Sequence, residues 1–493
     1  MFRDKSAGDQ FLSVEDRKDS MSSNRPHGRV AMAGTLAFTF GVSLVVALTP
    51  VNVANAQPTP EMRCGDVGYG IEIDARGRLL AAAEVGTSTS FTAEDGDVVQ
   101  AKDWAVTRFT PSGQIDPSFG TGGSTVLDAG GDDEVLDIRI DSVGRALVMG
   151  RVNTTNDEQS IAVARLDRAG ALDRTYGVDG FARIDVAPRT FAWAAAVDDR
   201  DRLVLAGRIG VSEASDFAVF RLLANGQPDR RFGERGVVRI DRGDPAEVFE
   251  SLTVEDRTGR ILAAGSRRDS GITEVLALRS NGQPDGSFGR RGWVTLPENE
   301  GETRRATGLT VDRFGRTSVV SDLTENDETR GIAVTRLTRS GQLDRRFGDA
   351  GQVVTAVPNS FTFVWDSALV NRGGDRGQRL VTVGTDFAPG FGSNRPFALA
   401  LAPNGVLDRG FGDKGVARVD IPTPFGFFAD LEALRDGSMV AVGAAIQGPE
   451  AGDSDLLVTK LDNAGRPVGS FGTGGSAIVD LRGPVCGAAP AAS

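Results

Sequence analysis

Histidine is nearly absent from this chain of 493 residues, which contains a single one, His27. Because the segment around His27 reads as a leader that is removed on export, the mature protein is predicted to contain none. A Ser-His-Asp hydrolase, a zinc or copper site with histidine ligands, a haem with a histidine ligand and a histidine general base are therefore excluded. The chemistry left to an enzyme is that of carboxylates.

Positive charge and cysteine are also scarce. The 55 Lys and Arg residues are outnumbered by 67 Asp and Glu residues, so the net charge is -12. No basic stripe is present, and we expect no general affinity for nucleic acid or for an anionic membrane. The two cysteines, Cys64 and Cys486, are predicted to pair in an oxidising compartment, which leaves no cysteine nucleophile.

One long run without charge occurs near the N-terminus, over residues 30–50. It follows two arginines and leads to Ala54-Asn55-Ala56, the small-x-small pattern that signal peptidase cleaves. We expect cleavage before Gln57 by the Sec route, since the leader has no twin-arginine pair. An uncleaved membrane anchor is the alternative, because about 20 apolar residues can span a bilayer.

A repeat organises the rest of the chain. A Phe-Gly dipeptide, once Tyr-Gly, recurs at seven regularly spaced positions, 56 to 64 residues apart. The aromatic members are Phe119, Tyr176, Phe232, Phe288, Phe347, Phe411 and Phe471. Each copy is preceded by alternating apolar runs with turns such as Asp256-Arg-Thr-Gly259 between them, a pattern typical of half-buried antiparallel strands.

Four short strands in each of seven units predict an all-β fold, a seven-bladed β-propeller with four-stranded antiparallel blades. A β-solenoid is the alternative, although it needs capping repeats that the sequence does not contain. A closed ring brings Cys64 and Cys486 together, whereas a solenoid holds them apart. The predicted organisation is a leader (1–56), a short lead-in (57–66), the propeller (67–482) and a C-terminal tail (483–493).

The repeated pattern resembles the delta-60 repeat family of bacterial β-propellers. It reads strand, Asp-x-x-Gly-Arg, strand, then Arg-Leu-x-x-x-Gly-x-x-Asp-x-x-Phe-Gly-x-x-Gly, as in the stretch from Asp141 to Gly180. The resemblance covers about residues 65–482. It implies an exported propeller and transfers no catalytic residue. Unit 6 has Ala400 in place of the motif Arg, and unit 7 has Val468 in place of the motif Asp.

The Arg and Asp of the motif are interpreted as structural, because an activity rarely needs one copy in every blade. Functional residues should break the repeat, and the innermost strand lines the channel of a propeller. Alternation along that strand predicts a mixed ring without converging carboxylates: Glu72, Arg139, Ala196, Thr253, Thr310, Leu369 and Ala433.

Three other features break the repeat. Unit 1 has an acidic insertion, residues 86–102. The linker from Asp128 to Glu134 offers oxygen ligands for calcium but lacks the ordered spacing of a calcium loop. Calcium is the one cofactor considered, and no cofactor is predicted. The third feature is aromatic, and its members are the candidate ligand-binding residues Trp365, Phe387, Phe391, Phe425, Phe427 and Phe428.

The sequence therefore predicts a secreted or cell-surface propeller that binds a protein or a glycan and acts as a binding or scaffold module. We expect a monomer, free of the membrane once the leader is cleaved. The alternative is a carboxylate- or calcium-dependent propeller enzyme of the lactonase, lyase or glycosidase type.

Overall fold

The structure is a computed structural model. It describes residues 36–38, 42–44, 66–92, 98–155, 158–187, 189–211, 214–268, 270–298, 302–325, 328–357, 361–372, 377–388, 392–448 and 454–481. The chain divides into two compact units, Met1–Pro60 and Glu61–Ser493. In the first unit, β1 (Leu36–Phe38) and β2 (Val42–Leu44) form an antiparallel hairpin. No helix that could cross a membrane occurs among the described residues.

The second unit consists of seven four-stranded antiparallel sheets, each built from four consecutive strands. Blade 1 has β3 (Val67–Ile73), β4 (Leu79–Thr92), β5 (Val98–Phe109) and β6 (Ser124–Leu127); blade 2 has β7 (Asp132–Ile140), β8 (Ala146–Thr155), β9 (Glu158–Leu166) and β10 (Phe181–Ile184); blade 3 has β11 (Thr190–Val197), β12 (Leu203–Val211), β13 (Ala214–Leu222) and β14 (Val237–Ile240). Blade 4 has β15 (Glu247–Val254), β16 (Ile261–Arg267), β17 (Ile272–Leu278) and β18 (Trp293–Thr295); blade 5 has β19 (Glu302–Val311), β20 (Thr317–Glu325), β21 (Glu328–Leu337) and β22 (Gln352–Thr355). Blade 6 has β23 (Phe361–Asn371), β24 (Gln378–Phe387), β25 (Asn394–Leu401) and β26 (Val416–Arg418); blade 7 has β27 (Phe425–Ala433), β28 (Met439–Ile446), β29 (Ser454–Leu461) and β30 (Ser476–Val479).

The first strand of each blade contacts the first strand of the next, and β27 of blade 7 contacts β3 of blade 1. These seven strands therefore surround a central channel, and the predicted seven-bladed β-propeller is confirmed. No strand is exchanged between blades 1 and 7 in the described part of the chain.

The hydrophobic core lies between neighbouring blades rather than in one central mass. At the junction of blades 7 and 1, Ile71 and Ala81 pack with Val442 and Leu456, and all four are fully buried. Both faces of a blade pack against neighbouring blades, so the middle strands are buried along most of their length, as in β28, where all eight residues are buried. One blade cannot bury both faces by itself, so the ring is the unit that folds.

The motif Arg and Asp hold the turns of each blade. Arg221 donates from Nε to Asp229 Oδ2 at 3.0 Å, its guanidinium lies 4.2 Å from the ring centroid of Phe232, and its Nη1 donates to the Ser280 carbonyl of blade 4. Arg108, Arg165 and Arg336 repeat this arrangement in their own blades. The structural interpretation of these residues agrees with this geometry, because each arginine joins its own turn to the next blade.

Blades 4 and 6 have alanine at the motif arginine, Ala277 and Ala400. In both blades, an arginine at the start of the second strand lies above the aromatic ring instead. Arg260 lies 5.6 Å from the centroid of Phe288, and Arg379 lies 5.4 Å from that of Phe411. The cation over the ring is thus retained while its place in the sequence changes.

The glycine of each Phe-Gly pair links blade to blade, since its N–H donates to a turn carbonyl of the following blade. Gly472 closes the circle by donating to Ser112 of blade 1 at 2.9 Å. This glycine has a φ of 54°, and a Cβ on it would lie 2.2 Å from Ser476 O, so no other residue fits. The other six donor and acceptor pairs are Gly120–Ala169, Gly177–Asn225, Gly233–Asn281, Gly289–Ser340, Gly348–Asn404 and Gly412–Ala464.

The two ends of the described ring meet at Asp66. Its N–H donates to Ser454 O at 2.8 Å, and its Oδ2 accepts from the N–H of Leu481 at 2.6 Å. Cys64 and Cys486 both lie outside the described residues, so their pairing stays a prediction.

Candidate functional site

A β-bulge interrupts the first strand of every blade. The pairing with the second strand skips one residue at each bulge, in blade 2 between Val135 and Asp137 and in blade 7 between Phe428 and Asp430. A bulge shifts the alternation of the residues that follow it, so it changes which side chains face the channel. The bulged residues are Tyr69, Leu136, Trp193, Glu250, Thr307, Trp365 and Ala429.

The channel contains a cavity of about 320 Å³ to which all seven inner strands contribute. Its two sides differ in chemistry. Blades 6, 7, 1 and 2 supply five neighbouring carboxyl groups, which we call the acid cluster. Asp137, Asp366, Asp430 and Glu432 line the cavity, and Glu72 lies beside them against Arg139. Blades 3 to 5 supply one carboxyl group, that of Glu250, and otherwise uncharged residues, among them Ala194, Ser251 and Thr307. Most of the carboxyl groups therefore lie on one side of the channel.

Arg139 is the cation among these acids. Its Nη1 lies 2.9 Å from Asp137 Oδ1 and 3.5 Å from Glu72 Oε1, and its Nε donates to Ala195 O at 2.8 Å. One guanidinium facing five carboxyl groups leaves the acid cluster short of positive charge.

Three members of the acid cluster also join neighbouring blades. Asp137 Oδ2 accepts from the N–H of Ala195 at 2.9 Å, and Asp430 Oδ2 accepts from the N–H of Ile71 at 2.7 Å. Asp366 Oδ2 accepts from the N–H of Leu431 at 3.2 Å. These aspartates therefore have a structural role. In the described residues, neither Glu72 nor Glu432 accepts a hydrogen bond from a backbone N–H of the next blade, and Glu72 contacts blade 2 only through Arg139, at 3.5 Å.

Burial is the main cause of the raised pKa values in the acid cluster. It raises the pKa of Glu432 to about 7, helped by the charge of Asp430 and opposed by Arg139. It likewise raises the pKa of Asp137 to about 7, and that of Glu72 and of Asp366 well above the usual range. Ionising these groups together is unfavourable in so small a volume, so protons or a cationic ligand must compensate them.

The predicted ring without converging carboxylates is wrong for two reasons. The sequence pattern does not show the bulge, so it does not identify Asp137, Asp366 and Asp430 as channel residues. In units 6 and 7 the predicted members Leu369 and Ala433 are one residue out of phase. The residues equivalent to Glu72 are Ala368 and Glu432, since both stand three places after the bulge.

The predicted aromatic residues do not form one patch. Trp365 lines the channel cavity, with Phe427 at a centroid distance of 6.1 Å. Phe387 instead meets Phe363 edge to face at 5.8 Å. Phe428 is fully buried in the core between blades 6 and 7, and Phe425 is half-buried. Phe391 lies outside the described residues.

The bulged residues add aromatic and charged groups to the cavity. Trp193 and Trp365 both line it, and the guanidinium of Arg305 lies 5.4 Å from the ring centroid of Trp365. Arg305 is bonded to Asp322 at 2.7 Å. The cavity thus combines indole rings with the acid cluster. The bulge is the structural feature that the sequence pattern did not show.

The comparisons with known proteins concern the fold. Residues 201–232 match the family described as a β-propeller domain of unknown function, DUF5122. This supports a β-propeller family of unknown function, and the delta-60 name stays a prediction. No curated protein matches the chain.

Several solved structures are similar at low identity. Virginiamycin B lyase from Staphylococcus aureus, a catalytically inactive form with quinupristin, is 10% identical with a TM-score of 0.44, covering 81% of this chain and 95% of its own. Sqt1 from Chaetomium thermophilum is 11% identical with a TM-score of 0.45, covering 81% and 97%. An alpha-L-arabinanase from Penicillium chrysogenum with arabinobiose is 12% identical with a TM-score of 0.39, covering 66% and 92%. Similarity at this level transfers no activity.

Proposed function

We propose that this protein is an exported binding module whose central channel takes up a cationic group of its ligand, an amine or a guanidinium. The observation that supports this is the one-sided acid cluster with Arg139 as its counter-ion. A cavity of about 320 Å³ suits a single side chain or a small amine rather than a folded domain. A protein partner would therefore insert one basic residue.

The physical basis is compensation of buried charge. Carboxyl groups in a small cavity are costly to ionise, and a cation that lies among them replaces the solvation they have lost. Trp193 and Trp365 line the same cavity, and each already has a cation of the protein beside its ring: Arg208 lies 5.3 Å from the centroid of Trp193 and Arg305 lies 5.4 Å from that of Trp365. The uncharged residues of blades 3 to 5 leave the space that the ligand needs.

The test is isothermal titration of the mature chain with putrescine and with arginine amide, at pH 6 and pH 8. Binding should tighten as the pH rises through about 7, because a cation favours the ionised form of Glu432 and Asp137. A neutral sugar and glutamate amide serve as control ligands. Equal affinity for neutral and cationic ligands, or tighter binding at pH 6, would contradict the proposal.

Matched variants connect the binding to the channel. Glu432→Gln should weaken cation binding roughly tenfold to a hundredfold, since a charge-assisted contact is worth about 1.5 to 3 kcal/mol. Glu234→Gln, on the exposed surface of blade 3, should leave it unchanged. If both variants bind like the parent chain, the ligand does not use the acid cluster.

Export is the second part of the proposal, and it is supported by the uncharged run and the Ala54-Asn55-Ala56 pattern. N-terminal sequencing of the protein recovered from outside the cytoplasm should begin at Gln57. A protein that keeps its leader and sediments with membranes would instead be an anchored surface propeller.

A carboxylate enzyme is the second candidate, and Glu432 is the observation that favours it. A carboxyl group with a pKa of about 7, facing a cavity and free of a bond to the next blade in the described residues, is suited to act as a general acid. Activity on glycoside or lactone substrates that Glu432→Gln abolishes, with ligand binding retained, would favour the enzyme. Loss of binding without any activity would favour the binding module.

A further inference from the structure

Three acidic side chains meet where blade 1 passes into blade 2. Asp103 lies in β5, Asp128 follows β6, and Asp133 lies in β7. One carboxylate oxygen of each lies within 4.8 Å of the other two. This cluster is separate from the channel, because none of its members lines that cavity.

Asp133 is the member that points to a ligand. The residue is 0% exposed, and its Oδ2 accepts from the N–H of Ala129 at 2.6 Å. Its other oxygen, Oδ1, is buried without a hydrogen-bond partner. A buried carboxylate oxygen without a donor costs about 1 to 3 kcal/mol or more, and such groups in folded proteins commonly face an ion.

The surroundings provide little compensation. Asp128 is exposed and accepts only from the N–H of Gly130, at 2.7 Å, which leaves a path from solvent into the cluster. Arg183 is the nearby cation: it donates to Ala129 O and lowers the pKa of Asp133. Burial still raises the pKa of Asp133 to about 7 and, with the charge of Asp128, that of Asp103 to about 6.

The equivalent positions between blades 3 and 4 offer a direct comparison. Asp216, Asp241 and Glu247 also approach one another within 4.8 Å. There, however, Arg239 forms an ion pair with Asp216, and Glu247 accepts from the N–H of Arg242 at 2.8 Å. Protein groups neutralise that cluster, whereas Asp103 has no ion pair in the described part of the chain.

We propose that Asp103, Asp128 and Asp133 bind a hard divalent cation, with calcium as the best match. Three carboxylates with water completing the shell form an oxygen site of the type that calcium accepts, and its looser geometry suits ligands from three separate segments better than magnesium does. The bound ion ties the third and fourth strands of blade 1 to the first strand of blade 2. It therefore adds a crosslink between neighbouring blades.

The experiment is isothermal titration of the EDTA-stripped, desalted chain with calcium chloride and then with magnesium chloride, combined with thermal unfolding in each ion. We expect calcium to bind, and calcium at 100 times its Kd to raise the ratio of folded to unfolded protein about 100-fold. Asp128→Asn and Asp133→Asn should each abolish the binding at this site. Asp241→Asn, at the neutralised cluster, should leave it intact.

If Asp133→Asn fails to fold, Asp128→Asn still tests the proposal, because Asp128 is exposed and is not part of the hydrophobic core. Without calcium, Asp128→Asn should melt at or above the parent temperature, since it removes a charge from a crowded site. No binding heat and no change in unfolding at millimolar calcium would overturn the proposal. So would calcium binding that survives both Asp128→Asn and Asp133→Asn.

Discussion

Glu432→Gln removes one buried carboxyl group from the channel while keeping the shape of the side chain. Burial raises the pKa of Glu432 from 4.5 to about 7, and at 1.36 kcal/mol per pKa unit its ionisation costs the folded state about 3 kcal/mol. The glutamine variant has no ionisable group at this position and therefore lacks this cost. It should be more stable than the parent chain at every pH at which Glu432 is ionised in the unfolded chain.

The sign follows from proton binding. Below pH 4.5 the carboxyl group is protonated in both the folded and the unfolded chain, so it contributes nothing to the pH dependence. Between pH 4.5 and about 7 only the unfolded chain releases the proton, so the stability of the parent falls as the pH rises. Above about 7 the full cost is present. The stability difference between variant and parent should therefore grow from near zero at low pH to about 3 kcal/mol at high pH.

Thermal unfolding followed by circular dichroism at five pH values from about 5 to about 9 measures this difference. For a ring of about 400 residues, an unfolding entropy of about 2.1 cal/mol/K per residue converts 3 kcal/mol into a rise of about 3 to 4 °C in Tm. Glu234→Gln is the matched control on the surface and should track the parent. A Tm difference for Glu432→Gln that is independent of pH, or a lower Tm at pH 9, would refute the reasoning.

Two further predictions concern the ring itself. Arg221→Met should cost about 1.5 to 3 kcal/mol, because it removes the nearest ion-pair partner of Asp229, which keeps only Arg202 at 3.6 Å, and the bond to Ser280; urea unfolding measures the loss, and a change below about 1 kcal/mol would contradict it. Reduction of exported protein should lower the free energy of unfolding by about 2 to 4 kcal/mol if Cys64 and Cys486 are bonded, and Cys64→Ser should abolish the difference; two free thiols in the untreated protein would show that the bridge is absent.

The sequence predicted the architecture because the information is repeated. Phe-Gly at near-constant spacing and the Arg–Asp pairs around Phe232 specify turns that recur in every blade, and seven copies average out local irregularities. No single copy had to be read without error. This is why the blade number was predictable from composition, turns and alternation alone.

The acid cluster was not predictable in the same way. Asp137, Asp366 and Asp430 each follow a bulged residue, and a bulge leaves no signature in the alternation of apolar residues. Glu432 was missed through an error of one residue, which on a strand moves a side chain to the opposite face. Functional residues differ between blades, so no repeat could correct the error.

The cation cluster shows a second limit of reasoning along the chain. The linker from Asp128 to Glu134 is recognisable in the sequence as a source of oxygen ligands, but its spacing does not match a calcium loop. The third carboxylate, Asp103, comes from a strand that precedes the linker by a full turn and an outer strand. Only the pairing of the blade brings the three together.

Because each blade is made of four consecutive strands, the natural break between Leu481 and Asp66 is only one of seven equivalent seams around the circle. Joining those two ends with a short linker and opening the chain between β14 and β15 would produce a circular permutant with every sheet intact. Which blade comes first in the chain therefore depends only on where the ring is opened.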